Sequence, residues 1–251
     1  MRKSLIATAI LAAALTTNAN AAVMVDLELQ LLADVSGSVD SSEYALQLAG
    51  YSNAFRSAAV VNSILAGTNG GIAVQYIEWS GSSQQSTNID WTLINSLASA
   101  TAFADALDAT TRAFSGSTAI GSAINYGSGL FANNNFDAFR QVMDVSGDGA
   151  NNTGASTSAA RDAALAAGVD TINGITIGTE NGLAAFYQNN VVGGTNAFQL
   201  HATGFDTFTF GIERKLIQEI TSTVPEPSSI ALLGLGLLGL GGLRRKNKAS
   251  K

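Results

Sequence analysis

Val25-Asp26-Leu27-Glu28-Leu29-Gln30-Leu31-Leu32-Ala33-Asp34-Val35-Ser36-Gly37-Ser38 is the stretch on which the fold turns. Its first half begins with strict alternation of apolar and polar residues, the period of a β-strand, so Met24 to Ala33 reads as a strand entering the core. Its second half, Asp34-x-Ser36-x-Ser38, places one carboxylate and two hydroxyls on one side of an extended segment, because alternate residues face together. Gly37 lets the segment turn tightly. One anionic and two neutral oxygens make half of a site for a hard cation. The same residues also suit a plain loop in which Asp34 or Ser38 caps the next helix.

Outward from this stretch, strands and helices alternate. Ser41-Ser42-Glu43 opens a helical pattern to about Ser57, with Ser41 or Ser42 as the cap and Tyr44, Leu48, Tyr51 and Phe55 at helical spacing. Gly71 to Trp79 reads as a strand, Gln84 to Trp91 as another on a polar edge, and Ser99 to Ala109 as a helix. Thr118 to Leu130 follows as a helix, Phe139 to Val145 as a strand, and Thr157 to Ala167 as an alanine-rich helix closed by Gly168. Thr171 to Ile177 is then a strand and Phe205 to Ile220 a last helix. This order predicts an α/β fold with a doubly wound, mainly parallel sheet and helices on both faces. In such sheets ligands bind beyond the carboxyl ends of the strands.

Two further loops stand at those positions. Ser115-Gly116-Ser117-Thr118-Ala119-Ile120-Gly121 presents Thr118 at a helix start, and Ser146-Gly147-Asp148-Gly149 presents Asp148 just after a strand. Taken singly, Thr118 is explained as an N-cap and Asp148 as part of a glycine-flanked turn. Together with Asp34-x-Ser36-x-Ser38 they resemble the metal-ion-dependent adhesion site of von Willebrand A domains, over about Val25 to Ile220. Three strings resemble the bacterial subgroup catalogued as domain of unknown function 1194. They are Tyr76-Ile77-Glu78-Trp79-Ser80-Gly81, Phe114 to Gly121, and Asp144-Val145-Ser146-Gly147-Asp148-Gly149-x-Asn151-Asn152. The third loop departs from the usual pattern, with Gly147 where Thr or Ser commonly precedes the aspartate.

The resemblance implies a divalent metal held by Asp34, Ser36, Ser38, Thr118 and Asp148. Two carboxylates and three hydroxyls carry few charges and leave a coordination position open, which favours Mg²⁺ over Ca²⁺, with Mn²⁺ able to substitute. An acidic side chain on a partner would complete the shell, so binding would be lost to a chelator. Asp40, Glu43, Glu78 and Asp144 lie near these loops and read as supporting or structural residues.

The two ends of the 251-residue chain read as addresses. Met1-Arg2-Lys3, an apolar run from Leu5 to Leu15, and a small-residue site ending at Ala21 make a signal peptide over residues 1–21. At the other end, Val224-Pro225-Glu226-Pro227 holds both prolines of the chain, followed by an apolar run from Ile230 to Leu243 and then Arg244-Arg245-Lys246. The run is shorter than the ~20 residues that span a membrane comfortably, so it suits a temporary hold. This end resembles the PEP-CTERM sorting signal, which implies recognition by an exosortase, a transient transmembrane helix in the inner membrane, and delivery to the cell surface or extracellular matrix of a Gram-negative bacterium. Residues 22–222 remain as the domain and 223–251 as the sorting signal.

Composition narrows the function further. The chain has no cysteine, which excludes disulfides, thiol catalysis and thiolate zinc sites. Between the two ends stand 6 basic residues and 18 of the 19 acids, a body that repels nucleic acid and attracts cations. His201 is the single histidine, and neither a Gly-x-Ser-x-Gly elbow nor a Gly-x-x-x-x-Gly-Lys loop occurs. These features point away from an enzyme, and the resemblance implies metal-dependent adhesion to an extracellular protein or matrix ligand. The alternatives are a metal-dependent hydrolase of extracellular polymer, with Asp34 and Asp148 as metal ligands but no general base, and a structural matrix protein whose metal fixes loops.

Overall fold

The computed structural model describes residues 21–132 and 134–222. The signal peptide expected over 1–21, apart from Ala21, and the sorting signal expected over 223–251 lie outside the described residues. Among the described residues no helix is long and apolar enough to cross a membrane.

The apolar run from Met24 forms two strands, β1 (Val23–Val25) and β2 (Leu27–Asp34), rather than one. The break falls at Asp26, whose carboxylate accepts the Asn69 backbone N–H at 2.8 Å. Next comes α1 (Ser41–Arg56), capped by Asp40 and not by a serine. The Ser42 and Glu43 N–H groups donate to Asp40 Oδ1 at 2.7 and 2.9 Å, and Asp40 N donates back to Glu43 Oε2 at 2.8 Å, a reciprocal capping box. A carboxylate at this position also complements the positive helix terminus. α2 (Ala58–Leu65) follows at once, with Ser57 Oγ accepting the Ala59 N–H. Its two turns are too short to show a helical period in sequence.

The chain then runs through β3 (Ile72–Trp79), β4 (Gln85–Ile94) and α3 (Leu97–Asp108), the last started two residues early by a Ser96–Ser99 capping box. α4 (Ile120–Ser128), β5 (Phe136–Ala138), β6 (Gln141–Gly147), α5 (Thr157–Ala166) and β7 (Thr171–Ile177) come next. Gly168, at φ +115°, closes α5 as expected. α6 (Leu183–Phe186) runs into a π-helical turn over Tyr187–Val191, and β8 (Gly193–Gly194), β9 (Gln199–Ala202) and α7 (Phe205–Thr221) complete the described chain.

The large sheet has the order β4-β3-β2-β6-β7-β8, with β9 also on β7, and β1 pairs with β5 apart from it. β2 is parallel to both β3 and β6, and β7 is parallel to β6 and β9. β4 is antiparallel because only a short turn joins it to β3, which forbids a crossover. The sheet is therefore mainly parallel and doubly wound. On one face Leu27, Leu29, Leu31, Val74 and Val142 pack under α1, α3 and α7, through Tyr51, Phe55, Phe103, Phe208 and Leu216. On the other, Leu32, Ile77, Met143 and Val145 pack under α4 and α5, through Ile120, Ile124 and Ala160. The chain leaves β2 to build β3 on one side and later returns to build β6 on the other. The crevice at that reversal opens beyond the carboxyl ends of β2 and β6.

Phe208 is fully buried and stands edge-on to Tyr51 at 5.2 Å between ring centroids. Phe208→Ala should cost about 3–5 kcal/mol of unfolding free energy in a urea titration, because α1 and α7 cannot close over the void.

Candidate metal centre

Asp34 is the last residue of β2 and is fully buried. The Ser36 N–H folds back to Asp34 Oδ1 at 2.7 Å, which turns the loop. Gln47 of α1 donates to the Asp34 carbonyl at 3.1 Å, and the Gly37 N–H donates to Gly116 O at 2.7 Å, tying the first loop to the second. Arg112 clamps both. One of its terminal nitrogens donates to Val35 O at 2.8 Å and Ser36 O at 2.7 Å, and its Nε donates to Phe114 O at 2.8 Å. The guanidinium sits 5.8 Å from the centre of the Tyr44 ring, and the Tyr44 hydroxyl donates to Glu78 Oε1 at 2.7 Å. Glu78 Oε2 accepts the Ala113 N–H at 2.7 Å. Glu78 is thus a fastening for the second loop, in line with its reading as a supporting residue. Arg112 was missed, since an isolated arginine in a loop carries no spacing signal.

Thr118 does not cap α4. The helix starts at Ile120, and the cap residue, Ala119, has no side chain that can close it. The Thr118 hydroxyl instead lies 3.4 Å from Ser36 Oγ. Its backbone is held by Asn152, which accepts the Thr118 N–H at 3.0 Å and donates its own N–H to Thr118 O at 2.9 Å. Asn151 accepts the Gly121 N–H at 3.2 Å. The two asparagines after Asp148 therefore lock the second loop to the third. Ser80, at the end of β3, accepts the Gly116 N–H at 2.7 Å and donates to Ser117 O at 3.1 Å.

These fastenings bring the expected residues together. Ser38 Oγ donates to Asp148 Oδ1 at 2.7 Å and lies 3.2 Å from Ser36 Oγ, which reaches Thr118. Asp34 joins through the Ser36 N–H, while its Oδ2 is buried with no donor. The cluster runs from buried Asp34, Ser36 and Thr118 to half-buried Asp148 and exposed Ser38, so it opens to solvent on one side.

Burial pushes the Asp34 carboxyl up to about 7, and the Asp148 charge adds to the rise. Burial also raises Asp148, with Glu43 and Glu180 contributing their charges, while the Ser38 hydroxyl works the other way. Among the described residues no group of three or more His, Cys, Asp or Glu side chains is placed to hold a metal. This cluster is of another kind: two carboxylates that repel each other, three hydroxyls, and a buried anionic oxygen without a donor. Such an all-oxygen set fits a hard divalent cation.

Gly147 occupies the position where a threonine or serine was the usual residue, and the structure gives the reason. A Cβ at Gly147 would meet the Tyr187 hydroxyl at 2.5 Å and Asp34 Oδ2 at 2.9 Å. The Tyr187 hydroxyl, buried and without a partner, thus fills the space behind Asp34. Sequence reading had no means to find it, because Tyr187 arrives from a π-helical turn 40 residues downstream.

The family model described as "Protein of unknown function (DUF1194)" matches residues 24–224. The chain belongs to the DUF1194 family. The PEP-CTERM protein-sorting motif matches residues 223–246 of this DUF1194 chain. None of the curated proteins matches it. Among solved structures, it is similar to proximal thread matrix protein 1 from the mussel byssus, at TM-score 0.60 and 19% identity over 82% of this chain and 48% of that one. A second structure of that protein, with a zinc-occupied MIDAS motif, gives TM-score 0.58 and 18% identity over 77% and 45% of the two chains. A von Willebrand factor type A protein from Catenulispora acidiphila gives 0.55 and 16% over 80% and 44%. The pilus adhesin SpaC from Lactobacillus rhamnosus GG, in an open conformation, gives 0.54 and 13% over 78% and 30%. The DUF1194 chain spans about half or less of the length of these proteins. The fold is that of the von Willebrand A domains, as the sequence resemblance implied.

The raised acids set the pH dependence of the metal-free domain. Asp34 takes up its proton at about 7 when folded and near its ordinary 3.8 when unfolded, so between those values the folded state holds more protons. Stability in a chelating buffer should therefore fall as pH rises from ~4 to ~7, by on the order of a few kcal/mol, and level off above. Asp148 and Glu78 shift in the same direction and add to the fall. Urea midpoints measured across this range should show it, and Asp34→Asn should remove much of it.

Proposed function

We propose that this chain is an exported binding module that captures an extracellular protein or matrix ligand through a divalent cation. Asp34, Ser36, Ser38, Thr118 and Asp148 hold the cation, and a carboxylate from the ligand takes the position that faces solvent. Mg²⁺ is the cation proposed, since few charges and an open position suit it, with Mn²⁺ or Ca²⁺ as substitutes. The observation that carries this reading is the buried, donor-less Oδ2 of Asp34 beside a second carboxylate and three hydroxyls. The zinc-occupied MIDAS motif of a thread matrix protein with the same fold supports a divalent metal. The sorting motif supports exosortase-dependent delivery to the cell surface or extracellular matrix, after export by a signal peptide over residues 1–21. No nucleic-acid partner is proposed, given the acidic body, and no catalytic role is proposed.

A structural matrix role is the second reading, favoured by likeness to a protein named for the thread matrix. Titration calorimetry of the chelator-stripped domain with Mg²⁺ tests the metal. Asp34→Ala and Thr118→Ala should each weaken binding at least ~10-fold, the scale of one lost charged or polar contact. Unchanged affinity in Asp34→Ala would remove the site. Retention of the domain on the extracellular material of the producing cells separates the two roles. Under the binding reading, chelation or Asp34→Ala releases the domain. Under the matrix reading retention persists and only the melting temperature falls.

A further inference from the structure

A second cluster of ionisable groups lies between β6 and α7 and shares no residue with the candidate metal centre. Lys215 of α7 is fully buried, and its Nζ stands between two equally buried carboxylates. One is Asp144 of β6, with Nζ 2.7 Å from Oδ1; the other is Glu219, one helical turn further along α7. The Phe198 ring closes the site, its centre 5.5 Å from Nζ. Asn173 of β7 donates to Glu219 Oε1 at 2.9 Å, and Arg140 donates to the Glu219 carbonyl. The Tyr51 hydroxyl donates to Ser146 on the same face of β6.

As an ion pair this arrangement is poor. Among the described residues Lys215 is the one charged partner within 2.7 Å of Asp144, and no second side chain or backbone N–H donates to either of its oxygens. Two charges taken out of water need hydrogen bonds on every remaining lone pair to offset their desolvation, and Asp144 has none beyond its contact with Lys215. The geometry suits a different chemistry. With a C–O bond of about 1.23 Å, Nζ lies no more than ~3.9 Å from Asp144 Cγ, so a shift of a few tenths of an ångström would bring the two to the ~3–3.5 Å of a near-attack arrangement.

We propose that Lys215 Nζ and Asp144 Cγ condense into an intramolecular isopeptide bond, with Glu219 as the group that moves the proton. In the water-poor interior the ammonium passes a proton to the Asp144 carboxylate, giving an amine facing a neutral acid. The nitrogen lone pair attacks Cγ. The Glu219 carboxylate takes a proton from the nitrogen and returns it to the departing hydroxyl. The C–N bond forms, the C–OH bond breaks, and one water leaves. Ammonium and carboxylate go to amide plus water, so no oxidant, reductant or cofactor is required, and the charge on Glu219 is unchanged at the end. Burial pushes the Asp144 carboxyl up, against the pull of the Lys215 charge, and so favours the neutral acid that the attack needs. Pre-positioning of the two groups supplies the effective concentration that makes an otherwise slow condensation feasible. The bond would join β6 to α7 in a chain with no cysteine to staple it.

The test is peptide mapping of the full chain, purified, denatured and digested with trypsin. The expected product is Gln141–Arg161 joined to the peptide that begins at Lys215, one water lighter than the two separate peptides, with no cleavage after Lys215. Separate peptides at their sequence masses, with cleavage after Lys215, would overturn the proposal without any variant being made. Glu219→Gln preserves size, and its fold is checked by circular dichroism. It should slow formation of the joined peptide at least ~100-fold, the lower end of the usual scale for loss of a proton-transferring group. Joining at the unaltered rate would overturn the role of Glu219. Neither result bears on the metal centre, whose residues are untouched.

Discussion

Asp34 and Asp148 end up side by side because β2 and β6 are neighbouring parallel strands that run out at the same edge of the sheet. Two carboxylates so placed, one of them fully buried, oppose folding. The cost is borne by a set of fastenings: Arg112 on the carbonyls of Val35 and Ser36, Glu78 on the Ala113 N–H, Ser80 on the 116–117 backbone, Asn152 on the Thr118 backbone, and Asn151 on the first turn of α4. Apart from the Glu78 and Arg112 charges, which face each other across Tyr44, these contacts are hydrogen bonds to backbone. They fix the loops without bringing a fixed positive charge onto Asp34. A residue supplying that charge would make the site stable and chemically inert. Leaving it open keeps the place for a cation.

Much of this was legible in sequence because it rests on local patterns. Alternation in β2 and the apolar run of β7 fix strands whose faces are both buried. The positions of Asp34 and Asp148 at strand ends follow from topology, and Thr118 from its place before a helix. What escaped was of two kinds. Short elements such as α2, β1, β5 and β9 fall below the length at which a period can be read. Side chains that arrive from a distance, such as Arg112 and Tyr187, have no spacing relation to the loops that they support. The capping of α1 fell to Asp40 over the neighbouring serines because only Asp40 has Glu43 three residues on to answer its own N–H. The exchange of a threonine or serine for Gly147 looked like a departure from the pattern and is a compensation, since the Tyr187 hydroxyl stands where that side chain would begin.

β6 connects the two clusters of the molecule. Its odd and even positions face opposite layers, so Asp144 and Ser146 look toward α1 and α7 while Met143 and Val145 look toward α4 and α5. Asp148 continues the strand four residues beyond Asp144, about 13 Å along at ~3.3 Å per residue. A covalent tie at Asp144 would hold the strand that presents Asp148, and would do so without entering the metal centre.

The direction of that tie has a mechanical consequence. α7 ends at Thr221, and the sorting motif begins at residue 223, so a chain held to a surface through its carboxyl end takes its load through α7. α7 is bound to the sheet by apolar packing through Phe208, Ile212 and Leu216, and such contacts yield one after another when a helix is peeled from its end. Lys215 lies near the middle of α7. A bond from there to β6 would stop the peeling one and a half turns in and pass the load to the centre of the sheet, where several parallel ladders share it. Were a ligand bound at the end of β6, as proposed, and the chain held beyond α7, force would pass along a short path between the two, largely within one strand.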